Sequence, residues 1–123
     1  MMRGVVNARL EAIVRLRLKG AAGVEVDIDF LIDTGFDSTL VLPKAEAEAI
    51  GLHYLGTRFA NLADGTLQAT ELYLGQLQWN GAFTPVQVIS IGDEALVGMG
   101  LLNGNELRIE VTSGGMVEIN QLP

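Results

Sequence analysis

The chain has 123 residues, no cysteine, one histidine and a formal charge of −7. Without cysteine there are no disulfides and no thiolate metal sites, and His53 alone leaves too few nitrogen ligands for an ordinary zinc centre, so no metal is expected. The acidic balance, with eight thinly spread basic residues, excludes a phosphate-binding surface of clustered Lys and Arg, so no nucleic-acid partner is expected.

The length fits one domain spanning 1–123, large enough to bury a core without staples. The opening MMRGVVNARLEA lacks a long apolar segment, which argues against a signal peptide. No apolar run reaches the roughly 18 residues of a membrane span, so the expected location is cytoplasmic, with no membrane partner. Hydrophobic residues make up 49% of the chain. That leaves apolar area to hide, and a subunit interface is one place to hide it.

In chain order the pattern is mostly β. Residues 10–19 alternate at period two, with Val14, Leu16 and Leu18 against Arg15, Arg17 and Lys19. A turn at 20–23 leads to a second alternating run over 24–32, predicting a hairpin. The alternation lapses at Phe30-Leu31-Ile32, as in a strand covered on both faces. A short strand is expected at 38–42. Pro43 then opens KAEAEAIGL, which has the Ala and Glu content of a helix and a stop at Gly51. Segments 54–62 and 67–77 flank Asp64-Gly65, and 72–78 and 83–91 flank Asn80-Gly81; both dipeptides signal hairpins. Residues 95–97 read as a brief strand, 99–104 as a helical turn, and 107–111 with 116–119 as a closing pair around Ser113-Gly114-Gly115. Many short strands, frequent glycine turns and one short helix at 43–51 predict a small closed β-barrel.

The chemistry concentrates in Phe30 to Pro43, FLIDTGFDSTLVLP. A carboxylate at the tip of a buried strand must be hydrogen-bonded, paired or neutral, because an isolated buried charge costs on the order of several kcal/mol. Lys44 is the first basic residue after Asp33. Gly35 opens backbone N–H groups to close approach, and Thr34 adds a hydroxyl able to bond across to another segment. Such a carboxylate is prepared to face a second acid. Two carboxyls sharing one proton split their pKa values, so the ionised one takes a proton from water while the protonated one polarises a carbonyl.

The run Asp33-Thr34-Gly35-Phe36-Asp37-Ser38-Thr39-Leu40-Val41 resembles the active-site stretch of retropepsin-like aspartic proteases. Ala95-Leu96-Val97-Gly98-Met99-Gly100-Leu101-Leu102 resembles that family's second signature, and the hairpin tipped at Asp64-Gly65 stands where the family carries its flap, within about 60–70. The resemblance covers residues 10 to 111. It implies a retropepsin-type β-barrel with Asp33, Thr34 and Gly35 at the catalytic centre. With one Asp-Thr-Gly per chain, it implies a homodimer that brings two Asp33 side chains together. It further implies a peptide or protein substrate, no cofactor, and substrate-binding positions at Phe36, Asp37, Ala63, Asp64, Gly65, Val97 and Gly98, with Leu62 and Met99 as further pocket walls.

Three positions depart from the pattern. Phe36 replaces the usual Ala or Ser. Gly100 stands where relatives often carry Asp or Asn. Met99 replaces an Arg that pairs, in retroviral members, with the Asp equivalent to Asp37; Arg15 and Arg17 are the candidates to substitute for it. A rival reading makes Asp33 a turn residue capping a strand end, and the whole chain a non-catalytic dimerisation or peptide-binding module on the same fold. A Ser-His-Asp triad using His53 is disfavoured because no Gly-x-Ser-x-Gly elbow exists.

Overall fold

A computed structural model of the chain describes residues 1–61 and 63–123. Its strands are β1 (Met2–Val6), β2 (Ala12–Lys19), β3 (Glu25–Ile32), β4 (Leu40–Leu42), β5 (His53–Asn61), β6 (Leu67–Trp79), β7 (Ala82–Ser90), β8 (Leu96–Val97), β9 (Asn105–Ile109) and β10 (Met116–Gln121), with helices α1 (Lys44–Ile50) and α2 (Met99–Leu102). The sheet runs β5-β6-β7-β4-β8-β3-β2-β1-β10-β9, and a further pairing of β6 with β2 closes it. Six strands, β6, β7, β4, β8, β3 and β2, therefore form a closed barrel, matching the expected fold class.

Closure depends on the length of β6. Its first half pairs with β5, from Asn61 opposite Leu67 to His53 opposite Leu74. Its second half pairs with β7 and bends back to β2, where Leu77 opposes Leu18. Both leucines are fully buried, with Phe30, Leu40, Leu42, Val88 and Val97 beside them. A polar residue at either closing position would strand an unpaired group in the centre of the core. Helix α1 caps this core with Ala47 and Ile50 and stops at Gly51, whose φ of 76° suits a left-handed cap.

Turn chemistry explains the β6–β7 hairpin. Asn80 and Gly81 have φ of 51° and 84°, the double positive φ that a two-residue turn matching strand twist requires. Gly81→Ala puts a Cβ into a left-handed backbone and is expected to lower stability by about 1 kcal/mol, read from urea unfolding midpoints. Trp79 ends β6 half-buried against the core, as a hairpin-end packing residue should.

Three expectations need correction. β1 was not anticipated; it pairs with β2 and, across most of the chain length, with β10. The first alternating segment begins at Ala12, because Leu10 sits at φ 62° in a turn whose Arg9 and Glu11 N–H groups both donate to the Asn7 side chain. The penultimate strand lies two residues earlier than expected, at Asn105–Ile109. β10 pairs with β1 and β9 of its own chain, so the C-terminal segment extends its own barrel. None of the helices in the described residues is long and apolar enough to cross a membrane.

Candidate active site

Asp33 follows the last residue of β3. Strand β8 lies parallel to β3 and antiparallel to β4, with Val97 between Ile32 and Leu40. The strand entering the Asp-Thr-Gly loop and the strand leaving it are thus held apart by the second signature. Hydrogen bonds fix the loop in place. Asp33 N donates to Val97 O at 2.9 Å, Gly98 N to Thr39 O at 2.9 Å, Met99 N to Phe36 O at 2.7 Å and Gly100 N to Ser38 O at 3.0 Å. Thr39 Oγ1 donates to Gln87 O at 2.6 Å, tying the far end of the loop to β7. Sequence reasoning overlooked Thr39, whose role depends on a residue 48 positions away.

Asp33 itself is half-buried, and its Oδ1 accepts a hydrogen bond from Gly35 N at 2.9 Å. A side chain at Gly35 would put its Cβ 3.2 Å from that oxygen, so glycine lets the amide approach. Thr34 and Asp37 are exposed and line an open groove of about 620 Å³ with Met99, Gly100, Asn105 and Leu107. The contribution of β9 to this groove carries no motif in the sequence.

The departures acquire physical reasons. A Cβ on Gly98 would lie 2.5 Å from the Phe36 ring and 2.8 Å from Phe36 O, and closer still to Ser38 O. The missing side chain at 98 is therefore the space Phe36 fills, and Phe36 packs over Gly98 and is absent from the groove lining. A Cβ on Gly100 would lie 2.7 Å from Asp37 O; here close backbone contact replaces a polar anchor. Arg15 and Arg17 do not substitute for the missing arginine. Arg15 Nε donates to Asp29 at 2.8 Å and Arg17 Nε to Asp27 at 2.9 Å across the β2–β3 pair, and these bonds hold both carboxyls below their ordinary values. None of the ion pairs among the described residues involves Asp37.

Two substrate-binding expectations also change. Val97 is 0% exposed and Gly98 is buried, so neither presents a surface; both position the Asp33 loop instead. Met99 is 47% exposed and lines the groove. Ala63, Asp64 and Gly65 are exposed at the tip of the β5–β6 hairpin, where Asp64 Oδ1 accepts from Thr66 N at 3.0 Å and Thr66 Oγ1 at 2.7 Å. Those bonds lower the Asp64 pKa. Leu62 lies outside the described residues. His53 is exposed at the start of β5.

The base of that hairpin is anchored to α1. Tyr73 is buried and donates to Glu71 Oε2 at 2.7 Å, and Lys44 lies 3.1 Å from Glu71 Oε1. Desolvation first, then the bond to Glu71, pushes the Tyr73 hydroxyl up to about 12. Tyr73, then Lys44, holds Glu71 below its ordinary 4.5. A carboxyl depressed in the fold stabilises it above the unfolded value and loses that contribution as pH falls through the folded value. The Glu71 contribution is thus complete at neutral pH and fades as pH drops below 4.5. Tyr73→Phe is expected to lower the urea midpoint at neutral pH, with the gap from wild type narrowing on acidification.

A protein-family model described as aspartyl protease matches residues 14–114. The chain belongs to the aspartyl protease family. The fold of this family member is similar to that of a retropepsin-like aspartic protease from Rickettsia conorii, with a TM-score of 0.59 at 16% identity, over 99% of this chain and 92% of that one. No curated protein matches it. Within this aspartyl protease fold, the residues brought together are the 33–39 loop and the 97–100 segment; no hydrogen bond joins the hairpin tip to that loop among the described residues.

Proposed function

We propose that the protein is an aspartic endopeptidase that works as a homodimer, with one Asp33 from each subunit at a shared site. The observation that carries this reading is a single Asp-Thr-Gly, in a chain matched to the aspartyl protease family, whose loop is hydrogen-bonded to the second signature on one side while Thr34 stays exposed. Two copies of one carboxyl held close share a proton. The ionised Asp33 takes a proton from water, the oxygen attacks the scissile carbonyl carbon, and the protonated Asp33 donates to the carbonyl oxygen. The resulting gem-diol collapses as a proton passes to the departing amine, and the pair returns to its starting state. This is the established chemistry of aspartic proteases, and it needs no cofactor.

In this reading Gly35 N–H orients the carboxyl, Thr34 reaches toward the partner subunit, and the hairpin tip at Ala63-Asp64-Gly65 closes over the substrate and excludes water. The substrate is a peptide bound as an extended strand, against Asp37 and Met99 in the groove. Incubation with an unstructured protein from acid to neutral pH, with and without a pepstatin-type inhibitor, tests the reading. Inhibitor-sensitive cleavage is expected; no cleavage at any pH would leave the fold as a binding module.

A further inference from the structure

Strand β3 is fully paired on one side only. From Glu25 to Leu31 it lies against β2, but its other edge meets β8 at Leu31 and Ile32 alone. Leu31 N donates to Ala95 O and Asp33 N to Val97 O, each at 2.9 Å, so the odd-numbered residues turn their backbone groups toward that edge. Val24 O, an even-numbered acceptor, takes the Gly20 N–H on the opposite side, and the register with β2 runs unbroken between them. Alternation along the strand therefore makes Asp27 and Asp29 present N–H and C=O outward, with no strand beside them among the described residues. Such an edge is a template for another strand.

Where that strand would lie there is a groove of about 480 Å³ between β3 and α1. Val26 and Ile28, from the core-facing side of β3, line it together with Ala49 and Ile50 of α1. At one end the 20–23 turn is tied to the stop of α1, Ala21 N donating to Gly51 O at 3.0 Å; at the other the bond from Leu31 reaches Ala95. Glu25 to Asp29 lie between, about 13 Å of strand.

We propose that this groove takes an extended basic segment of another polypeptide, which adds a strand to β3 in line with β8. Backbone and charge select that occupant. An added strand meets the free groups of Asp27 and Asp29, and its side chains alternate between two surroundings. Those turned inward meet Val26, Ile28 and Ile50, and are apolar. Those turned outward lie beside the Asp27 and Asp29 carboxylates, with Glu46 on the opposite wall. No Lys, Arg or His is among the residues lining the groove. Arg17 and Arg15 hold the two aspartates from the β2 side only, and both carboxylates stay about half exposed. A Lys or Arg on the added strand completes each cross-strand row with a third charge. A second copy of this chain fits poorly. Its net charge is −7, and its alternating basic strand, β2, is already paired with β1, β3 and β6. The groove shares no lining residue with the one at Thr34, so the inference stands apart from the peptidase reading.

Amide hydrogen exchange, read residue by residue by NMR on the isotope-labelled full chain, tests this with the capped peptide Gly-Lys-Val-Lys-Val-Lys-Gly. Asp27 and Asp29 amides are expected to exchange fast in the free chain. At a peptide concentration about ten times the dissociation constant, they should slow roughly tenfold. A counterpart with Glu for Lys should leave them fast. So should one with Pro for Val, which keeps the charge but cannot form a ladder. Ala49 is exposed on α1, so Ala49→Trp keeps the fold while filling the groove, and should weaken the lysine peptide roughly tenfold or more. Fast exchange persisting at millimolar peptide would overturn the proposal. Equal protection by the proline peptide would reduce the effect to bulk charge and overturn it as well. Unchanged binding to a folded Ala49→Trp would rule out the groove. Protection that grows with chain concentration in the absence of peptide would give the edge to a second copy instead.

Discussion

On the proposed function, Asp33→Asn should abolish proteolysis while leaving the fold and the proposed dimer in place. The carboxyl accepts one hydrogen bond among the described residues, from Gly35 N to Oδ1 at 2.9 Å. The amide oxygen of asparagine can accept the same bond, and neither shape nor volume changes. Stability is therefore expected to stay within about 0.5 kcal/mol of wild type. What asparagine lacks is a carboxyl that ionises and so can gain and lose a proton. Its amide can neither take one from water nor return one to the carbonyl oxygen, and loss of such a group costs roughly 10²- to 10⁴-fold in rate. Because the substitution enters both subunits, no competent acid remains, and turnover is expected to fall below detection.

Mixing refines that result. In an equilibrated equal mixture of wild type and Asp33→Asn, about a quarter of the dimers carry two aspartates. If both carboxyls are needed, activity follows the square of the wild-type fraction; if each subunit acts alone, it follows the fraction itself. A linear dependence in a protein shown to be dimeric would refute the shared site directly. Retention of cleavage in the pure variant would make Asp33 a turn residue and place the chemistry elsewhere.

The legible parts of this fold are those whose cause is local. Asn80-Gly81 marks its hairpin because the turn demands positive φ at both residues, and both have it. The alternation in β2 shows because one face meets the core and the other carries Arg15 and Arg17 to their aspartates. Strand β1 is different. MRGVV has no alternation long enough to notice, and it is a strand because Gly4 lets it pass close to the Ile13 carbonyl while Met2 to Val5 pair with β10 at the other end of the chain. The offset in β9 lies in the turn that follows it, where Gly115 passes against Glu110 so tightly that a Cβ would overlap its carbonyl, just past the strand's last residue, Ile109.

The candidate site divides the same way. Asp33-Thr34-Gly35 is recognisable as a motif, and the order of the second signature behind it supports the assignment. The facing of Val97 was not legible, because a two-residue strand has no period to read. Its burial follows from lying between Ile32 and Leu40, which are themselves buried. The groove beside Thr34 was equally hidden, since Leu107 reaches it only through the turn after α2.

Gly98→Ala is expected to damage both stability and activity, and the link between the two can be traced bond by bond. The backbone there has φ of −101° and ψ of 173°, which alanine adopts freely, so conformation is not the obstacle. Space is. The added methyl would lie 2.5 Å from the Phe36 ring and 2.8 Å from Phe36 O, distances that force something to move. Overpacking of this kind costs about 1 to 3 kcal/mol. The ring can turn aside, but the carbonyls of Phe36 and Ser38 cannot, because they accept from Met99 N and Gly100 N. Relief must come from β8 retreating, and Val97 O retreats with it. That oxygen accepts the Asp33 N–H, so the Asp33 loop loses the position that the proposed shared site requires. The expected result is a urea midpoint lowered by that amount and, at temperatures where the variant is fully folded, a turnover number reduced at least tenfold, the scale of a small misplacement at a reacting centre. Phe36→Ala in the same chain removes the ring but not the carbonyl clash. It should recover part of the stability and little of the turnover; full recovery of both would mean the ring alone sets the spacing, and the carbonyls do not.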